Sequence, residues 1–317
     1  MGHWAVPELS TTRDRVAGLI VGREREIDLV LAAVAAGRDV LLEGPPGTSK
    51  TTLLKAITGE WGIPLVLVEG NADLTPTRLV GHHNPSQVLR DDYSADNFVD
   101  GPLVEAMRKG GFLYIEEFNR APEDTLNTLL MAMADRQVMV PRVGEIKAAP
   151  SFRVIASMNP FDNVGTTRLS TSLHDRLCRL AVDYQDEEAE RGIVALRTRV
   201  ADAHRAAESP DTAALRARLI YDAVAVTRAT RSHDDVRQGS SVRGAIDVVL
   251  VALQLAQLRS VASPDSDGYA PLVLDAMILG LSSRLHVDDA AETTPERVLQ
   301  EIWEDHFILR PASAAPG

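Results

Sequence analysis

A single cysteine, Cys178, stands in a chain of 317 residues, so no internal disulfide and no zinc site built on several cysteines can form. Long apolar runs are missing as well. The longest candidate, AIDVVLVALQLAQL, carries Asp247 and two glutamines and is too polar to span a bilayer. Basic residues are in deficit: 33 Lys and Arg face 45 Asp and Glu, for a formal net charge of −12. A surface that acidic disfavours unassisted binding to nucleic acid or to an anionic membrane. The opening MGHWAVPELSTTRDR lacks a basic end followed by an apolar stretch, so no secretory signal and a cytoplasmic protein are expected. No internal repeat or low-complexity tract stands out. What is present is a globular composition, 45% hydrophobic and 25% charged, with length enough for two domains.

In the first half, short apolar runs alternate with helical stretches. DVLLEG, PLVLVEG, GFLYIEEF and FRVIASMNP each read as a buried strand closed by a polar residue or a turn signal. Between them, EREIDLVLAAVAAG, KTTLLKAITGEWG and EDTLNTLLMAMADR carry helical spacing. That alternation predicts a parallel sheet covered on both faces, with ligands at the carboxyl ends of its strands. From about Gln185 onward no strand pattern is visible. DEEAERGIVALRTRVADAHRAA, DTAALRARLIYDAVAVTRAT, SSVRGAIDVVLVALQLAQLRS and YAPLVLDAMILGLSSRLH all place apolar residues at helical spacing. In TPERVLQEIWEDHF, Thr294 is the expected N-cap and Pro295 opens the first turn, with Val298, Leu299, Ile302 and Trp303 along one side. The tail RPASAAPG is expected to be loose. The predicted organisation is an α/β sheet domain over residues 1–184 and an all-α domain over residues 185–317.

Between the strand DVLLEG and the helix KTTLLKAI lies GPPGTSKTT, residues 44–52. It departs from the phosphate-loop pattern G-x-x-x-x-G-K-[ST] by Ser49 in place of the second glycine. In this setting consecutive backbone N–H groups and the helix N-terminus point at a β-phosphate. Lys50 would neutralise phosphate charge, and the Thr51 hydroxyl would bind Mg²⁺. The candidate nucleotide contacts are therefore Gly44, Pro45, Pro46, Gly47, Thr48, Ser49, Lys50, Thr51 and Thr52. Gly44 and Gly47 are expected to keep the backbone close to the ligand, and Ser49 to cap the helix. The strand GFLYIEE ends in two carboxylates. Glu116 is placed to hold Mg²⁺, and Glu117 to orient and deprotonate an attacking water. The usual first letter of that pair is Asp, so Glu116 is a departure that moves its carboxylate by more than a bond length. Asn159 ends FRVIASMNP, where an amide can hold the water opposite the γ-phosphate. Arg176, in LSTSLHDRL, and Arg243, in GSSVRGAID, fall in predicted helices; either alone reads as a surface residue.

Together these segments resemble the AAA+ ATPases, and the MoxR family in particular, over most of the chain from IVGRE onward. GPPGTSKT resembles that family's phosphate loop, where a small residue commonly precedes the lysine. EEFNRAPEDTLNTLLMAMADRQVMV resembles its Walker B stretch, GTTRLSTSLHDRL its arginine-finger segment, and GSSVRGAID its sensor 2 helix. The resemblance implies an AAA+ P-loop NTPase: a parallel-sheet αβα domain followed by a helical lid, with ATP and Mg²⁺ as cofactors. It implies Glu117 as catalytic base, Asn159 as sensor 1, Arg176 as a finger completing a neighbour's site, and Arg243 as sensor 2. Val21 and Gly22 of IVGRE resemble the segment that packs on adenine. A finger in trans implies a homo-oligomeric ring, hexameric by resemblance. The implied function is ATP-driven remodelling, maturing or activating a client protein complex with a von Willebrand factor A domain partner.

LVGHHNPSQVLRDDYSADNFVDGPL lies where this family inserts a small element, and VMVPRVGEIKAAPSF where a hairpin precedes sensor 1, with Gly144 at its turn. The resemblance places both near the ring axis. His82 and His83 are adjacent and lack an evident third ligand, which speaks against a metal site. Cys178 is expected to be a buried, small apolar residue. Two rival functions differ in class. One is a nucleotide switch that assembles a scaffold, kept open by Glu116. The other is a nucleic-acid motor, since the EEFNR step is also similar to the McrB restriction motors; the acidic balance and the lack of a DNA-reading domain weigh against it.

Overall fold

Apolar runs that alternate in direction between two covered faces make the sheet of the first unit. The computed structural model describes residues 6–91, 94–160, 166–201 and 210–309, in two compact units, Met1–Asp183 and Tyr184–Gly317. The tail RPASAAPG and the end of DEEAERGIVALRTRVADAHRAA lie outside the described residues. In chain order the first unit's strands are β1 (Asp39–Glu43), β2 (Leu65–Glu69), β3 (Gly81–His83), β4 (Phe98–Asp100), β5 (Phe112–Glu116), β6 (Gln137–Val140), β7 (Gly144–Lys147), β8 (Arg153–Met158) and β9 (Leu177–Ala181). Its helices are α1 (Leu9–Ala17), α2 (Glu24–Ala35), α3 (Lys50–Trp61), α4 (Pro76–Val80), α5 (Pro85–Asp91), α6 (Pro102–Lys109), α7 (Glu123–Asp135) and α8 (Thr171–His174).

Five strands form one parallel sheet in the order β2-β5-β8-β1-β9. Successive side chains point to opposite faces. Leu41, Leu113, Ile115, Val154 and Ala156 meet Leu79, Leu103, Met107, Leu126 and Leu129 from α4, α6 and α7. Val40, Leu42, Phe112, Tyr114 and Ile155 meet Ile27, Leu31, Leu53, Leu54 and Ile57 from α2 and α3. Burying each large apolar side chain of these layers contributes about 1.5–3 kcal/mol. From β1 the chain crosses to one edge, β2, whereas from β8 it passes over β1 to the other edge, β9. Connections that diverge around β1 open a crevice at its carboxyl end.

The amino end of β1 is held differently. Buried Asp39 accepts from Val154 N at 2.7 Å and from both terminal nitrogens of Arg136 at 3.1 and 2.8 Å. Burial pushes the Asp39 carboxyl above its ordinary value, with Arg136 pulling the other way.

β9 is an addition to the four strands read from the sequence, and it corrects the expectation for Cys178. The residue is exposed, not buried. Among the described residues β9 pairs with β1 alone, and along it just Leu177 and Leu180 are buried. The hairpin of β6 and β7 closes at Gly144, φ 94°. β3 and β4 pair antiparallel around α5. There His83 packs edge-on against Phe98 at 5.3 Å, with Nε2 3.2 Å from Pro141 O. Among the described residues, no three His, Cys, Asp or Glu side chains gather as a metal would require.

The second unit comprises α9 (Glu187–Ala201), α10 (Pro210–Ala229), β10 (Val236–Gln238), α11 (Val242–Arg259), α12 (Tyr269–Leu281), β11 (His286–Val287) and α13 (Pro295–Glu304). The short antiparallel pair of β10 and β11 corrects the expectation of a strand-free half. Its core joins Leu219 and Val224 of α10, Val248 and Ala252 of α11, Leu272 and Met277 of α12, and Val298 and Leu299 of α13. Thr294 Oγ1 accepts from Arg297 N at 3.3 Å, capping α13. Asp222, fully buried on α10, takes hydrogen bonds from Arg218 Nε at 2.8 Å and Tyr269 OH at 2.7 Å, and lies 2.9 Å from His306 Nε2. No described helix is long and apolar enough to cross a membrane.

Candidate functional site

The loop leaves the sheet at Gly44, whose N–H donates to Met158 O at 3.1 Å while Val182 N–H donates to Glu43 O at 2.7 Å. A Cβ at position 44 would lie 1.9 Å from Val182 O. Glycine is therefore required there by the backbone following β9. Gly47 has φ 79° and Ser49 has φ 65°, both left-handed. Ser49 makes no side-chain cap hydrogen bond, which corrects the expected role; an N-cap side chain works from an extended backbone, not a left-handed one. Ser49 instead supplies the left-handed turn that the pattern's glycine would supply. Such alternating backbone directs successive N–H groups into one concavity suited to an anion.

Thr48 Oγ1 donates to Pro45 O at 3.0 Å and braces the loop. Lys50, the first residue of α3, spans it: Nζ donates to Gly44 O at 2.9 Å and Pro45 O at 2.8 Å, and lies 3.2 Å from Thr48 Oγ1. Pro45 is buried, whereas Pro46 and Thr52 are exposed. Next to the loop, the Thr51 hydroxyl donates to Glu116 Oε1 at the end of β5. Beneath that contact the Tyr114 hydroxyl lies 3.4 Å from Thr51 Oγ1 and 2.9 Å from Ser157 Oγ of β8. Burial pushes the Tyr114 phenol up from its ordinary value.

Glu117 follows with φ 50° and ψ 45°, a left-handed conformation uncommon for a side chain of this size. Its carboxylate pairs with Arg120 at 3.1 Å, and both are partly exposed. Gly70, at the end of β2, donates to Glu116 O at 2.7 Å, and a Cβ there would lie 2.3 Å from Glu117 O. Asn159 directly follows β8, whose last carbonyl holds the Gly44 N–H. Thr167 ties the next segment to the turn after Glu117: its N–H bonds Asn119 O at 2.5 Å and its hydroxyl bonds Ala121 O at 3.1 Å.

The structure thus gathers the loop 44–51, Glu116, Glu117 and Asn159 at one end of one sheet. Arg176 stands apart. It lies after α8 rather than within a helix, is exposed, and donates to Ser172 O at 3.1 Å. Val21 and Gly22 form the turn between α1 and α2, where Gly22 has φ 65°. Arg243 is the exposed second residue of α11, in the second unit. Four participants escaped the sequence reading: Gly70, Tyr114, Arg120 and Ser157. The signal for Arg120 was its spacing three after Glu117; Tyr114 and Ser157 are polar atoms inside otherwise apolar strands.

Thr51 and Glu116 offer adjacent hard oxygen donors, a hydroxyl and a carboxylate, which suit Mg²⁺ with the remaining positions left to water and phosphate. A cationic amine, a loop with left-handed turns at Gly47 and Ser49 and a second carboxylate one residue on are parts that phosphoanhydride hydrolysis uses.

A family described as AAA domain (dynein-related subfamily) matches residues 39–177, a span that holds the loop, both glutamates, Asn159 and Arg176. An uncharacterised Staphylococcus epidermidis protein is 34% identical over 168 residues, 52% of this chain. That match spans only 63% of the relative's own length. The gas vesicle ATPase GvpN of Ancylobacter aquaticus is 29% identical over 272 residues, 79% of this chain and 71% of GvpN. A Cytophaga hutchinsonii protein of known structure superposes with a TM-score of 0.51 over 97% of this chain and 95% of its own, at 19% identity, a likeness that speaks to fold alone. The fold is the AAA+ P-loop arrangement, a parallel sheet with helices on both faces followed by a helical region.

Proposed function

We propose that this chain is a Mg²⁺-dependent ATPase of the MoxR kind, which spends ATP to remodel, mature or activate a client protein complex. The observation that carries this reading is the contact of Thr51 with Glu116 beside the loop, one residue before Glu117. It sets a phosphate cradle, a metal ledge and a candidate base side by side.

In this reading the loop N–H groups and Lys50 bind the phosphates, while Thr51 and Glu116 hold the ion. When bound, the ion polarises the γ-phosphate. Glu117 orients the attacking water and takes its proton, and Asn159 holds that water in line. The Glu117–Arg120 pair keeps the carboxylate fixed near the sheet end. Val21 and Gly22 pack on adenine, and Arg243 acts as sensor 2 from the helical lid. Arg176 serves the site of a neighbour in a homo-hexameric ring. Its exposure on the first unit supports that role, because a finger must reach outside its own chain. The partner is a von Willebrand factor A domain protein, and neither nucleic acid nor membrane is engaged. GvpN, named as an ATPase of gas vesicles, supports ATP as the substrate.

The test is Glu117→Gln. The variant should bind ATP with affinity close to the parent and lose turnover by at least about 100-fold, in the range that general-base catalysis supplies. Retained turnover, or loss of ATP binding in a folded variant, would overturn the assignment.

A further inference from the structure

β5 carries a phenol where its neighbours are apolar. Tyr114 is 1% exposed and its ring lies in the layer against α2 and α3. A phenylalanine would fill nearly the same space, and a buried hydroxyl is costly unless its partners are fixed. Here they are: Ser157 Oγ at 2.9 Å and Thr51 Oγ1 at 3.4 Å, with Thr51 in turn donating to Glu116. Tyr114 and Glu116 are two residues apart on one strand and so share the face toward α3.

The hydroxyl of Thr51 has one proton and two lone pairs. Its proton goes to Glu116. The Tyr114 O–H can then donate to one lone pair while accepting from Ser157, which leaves the second lone pair with a single direction. Glu116 brings one more rotatable bond than an aspartate and fixes Thr51 less firmly, so a second tether has work to do.

We propose that Tyr114, backed by Ser157, is a positioning residue of the metal site: its phenol sets the rotation of the Thr51 hydroxyl so that one lone pair faces the divalent cation. This inference rests on the reading of Thr51 and Glu116 as the Mg²⁺ ledge. The relay is local to β5, β8 and the start of α3, and it asks nothing of the second unit.

The experiment measures ADP binding calorimetrically in EDTA and across a Mg²⁺ series, together with the Mn²⁺ spectrum of the ADP complex by electron paramagnetic resonance. Tyr114→Phe keeps the ring and should raise the half-saturating Mg²⁺ roughly tenfold, the low end for an outer-shell partner of a metal ligand. Its affinity for ADP in EDTA should stay within about twofold of the parent's, since the phosphate contacts are untouched. Ser157→Ala should give a smaller rise, and the double variant no more than Tyr114→Phe alone. Thr51→Ala is the reference. If it raises the Mg²⁺ requirement while Tyr114→Phe matches the parent, the positioning role is wrong. Equal weakening by Tyr114→Phe with and without metal also overturns it, as a general effect on the loop. If Thr51→Ala leaves the Mg²⁺ requirement unchanged, the ledge itself fails.

Discussion

Gly44 shows how little freedom one position can have. Its missing Cβ makes room for the carbonyl of Val182, which lies where the chain leaves β9. Backbone cannot yield as a side-chain tip can, so Gly44→Ala should shift the loop, the end of β9, or both. The expected result is a loss of stability of about 1–3 kcal/mol, as for other overpacked sites, together with a large fall in ATP affinity. Urea unfolding and nucleotide titration check the two parts separately, and a variant that keeps both values would show that β9 can move aside without consequence. Position 49 carries the opposite lesson: the pattern calls for glycine because of a backbone angle, and serine pays a local strain to reach it.

At the scale of elements, burial pattern decides what could be read beforehand. Strands β1, β5 and β8 are covered on both faces, so their sequences are mostly apolar and do not alternate with polar residues. β2 is an edge strand yet still apolar along its length, with Leu67 exposed. β9 was illegible for a physical reason. Its buried residues, Leu177 and Leu180, belong to layers on opposite faces and stand three apart, a spacing that mimics a helix. β10 and β11 are too short to carry any period. The loop and the paired glutamates were legible as candidates because a backbone that is to cradle phosphate would demand fixed residue types. The Tyr114–Ser157 relay joins two strands far apart in sequence, so no local pattern could announce it.

Helices α10 and α12 are joined by a network whose strength depends on pH. Burial alone would raise the Asp222 carboxyl, but hydrogen bonds from His306, Arg218 and Tyr269 hold it below its ordinary value. A depressed carboxyl adds stability that is fully present above the unfolded value of about 3.9 and is lost as pH falls through the folded value. Asp222→Asn should therefore cost roughly 3 kcal/mol near neutrality, as when one partner of a buried pair is removed. The gap to the parent should narrow as pH falls below about 4, where the unfolded chain takes up the proton first. Chemical denaturation at a series of pH values measures it, and a gap that is constant down to pH 3 would contradict the depressed carboxyl.

For the whole molecule, the decisive question is whether the site is completed by another copy. Arg176→Ala should bind ATP nearly as the parent does and hydrolyse it slower by roughly 10³–10⁵, the range seen for arginine fingers in other NTPases. Lys50→Ala subunits should be inactive in their own site but keep Arg176. Mixed with Arg176→Ala subunits, which keep an intact loop, they should restore part of the activity if the finger acts across a boundary. Mixtures that co-assemble, as shown by cross-linking, and stay inactive would place Arg176 in a structural role.

The same stretch of chain carries the sole thiol, and that has a practical corollary. Cys178 is exposed and lies two residues after Arg176, on the strand that pairs with β1. A maleimide dye would therefore mark this chain once, with no competing cysteine among its 317 residues. The label would sit opposite Val40, on the strand that feeds the phosphate loop. Nature has left a spectroscopic address beside the residue whose reach most needs to be watched.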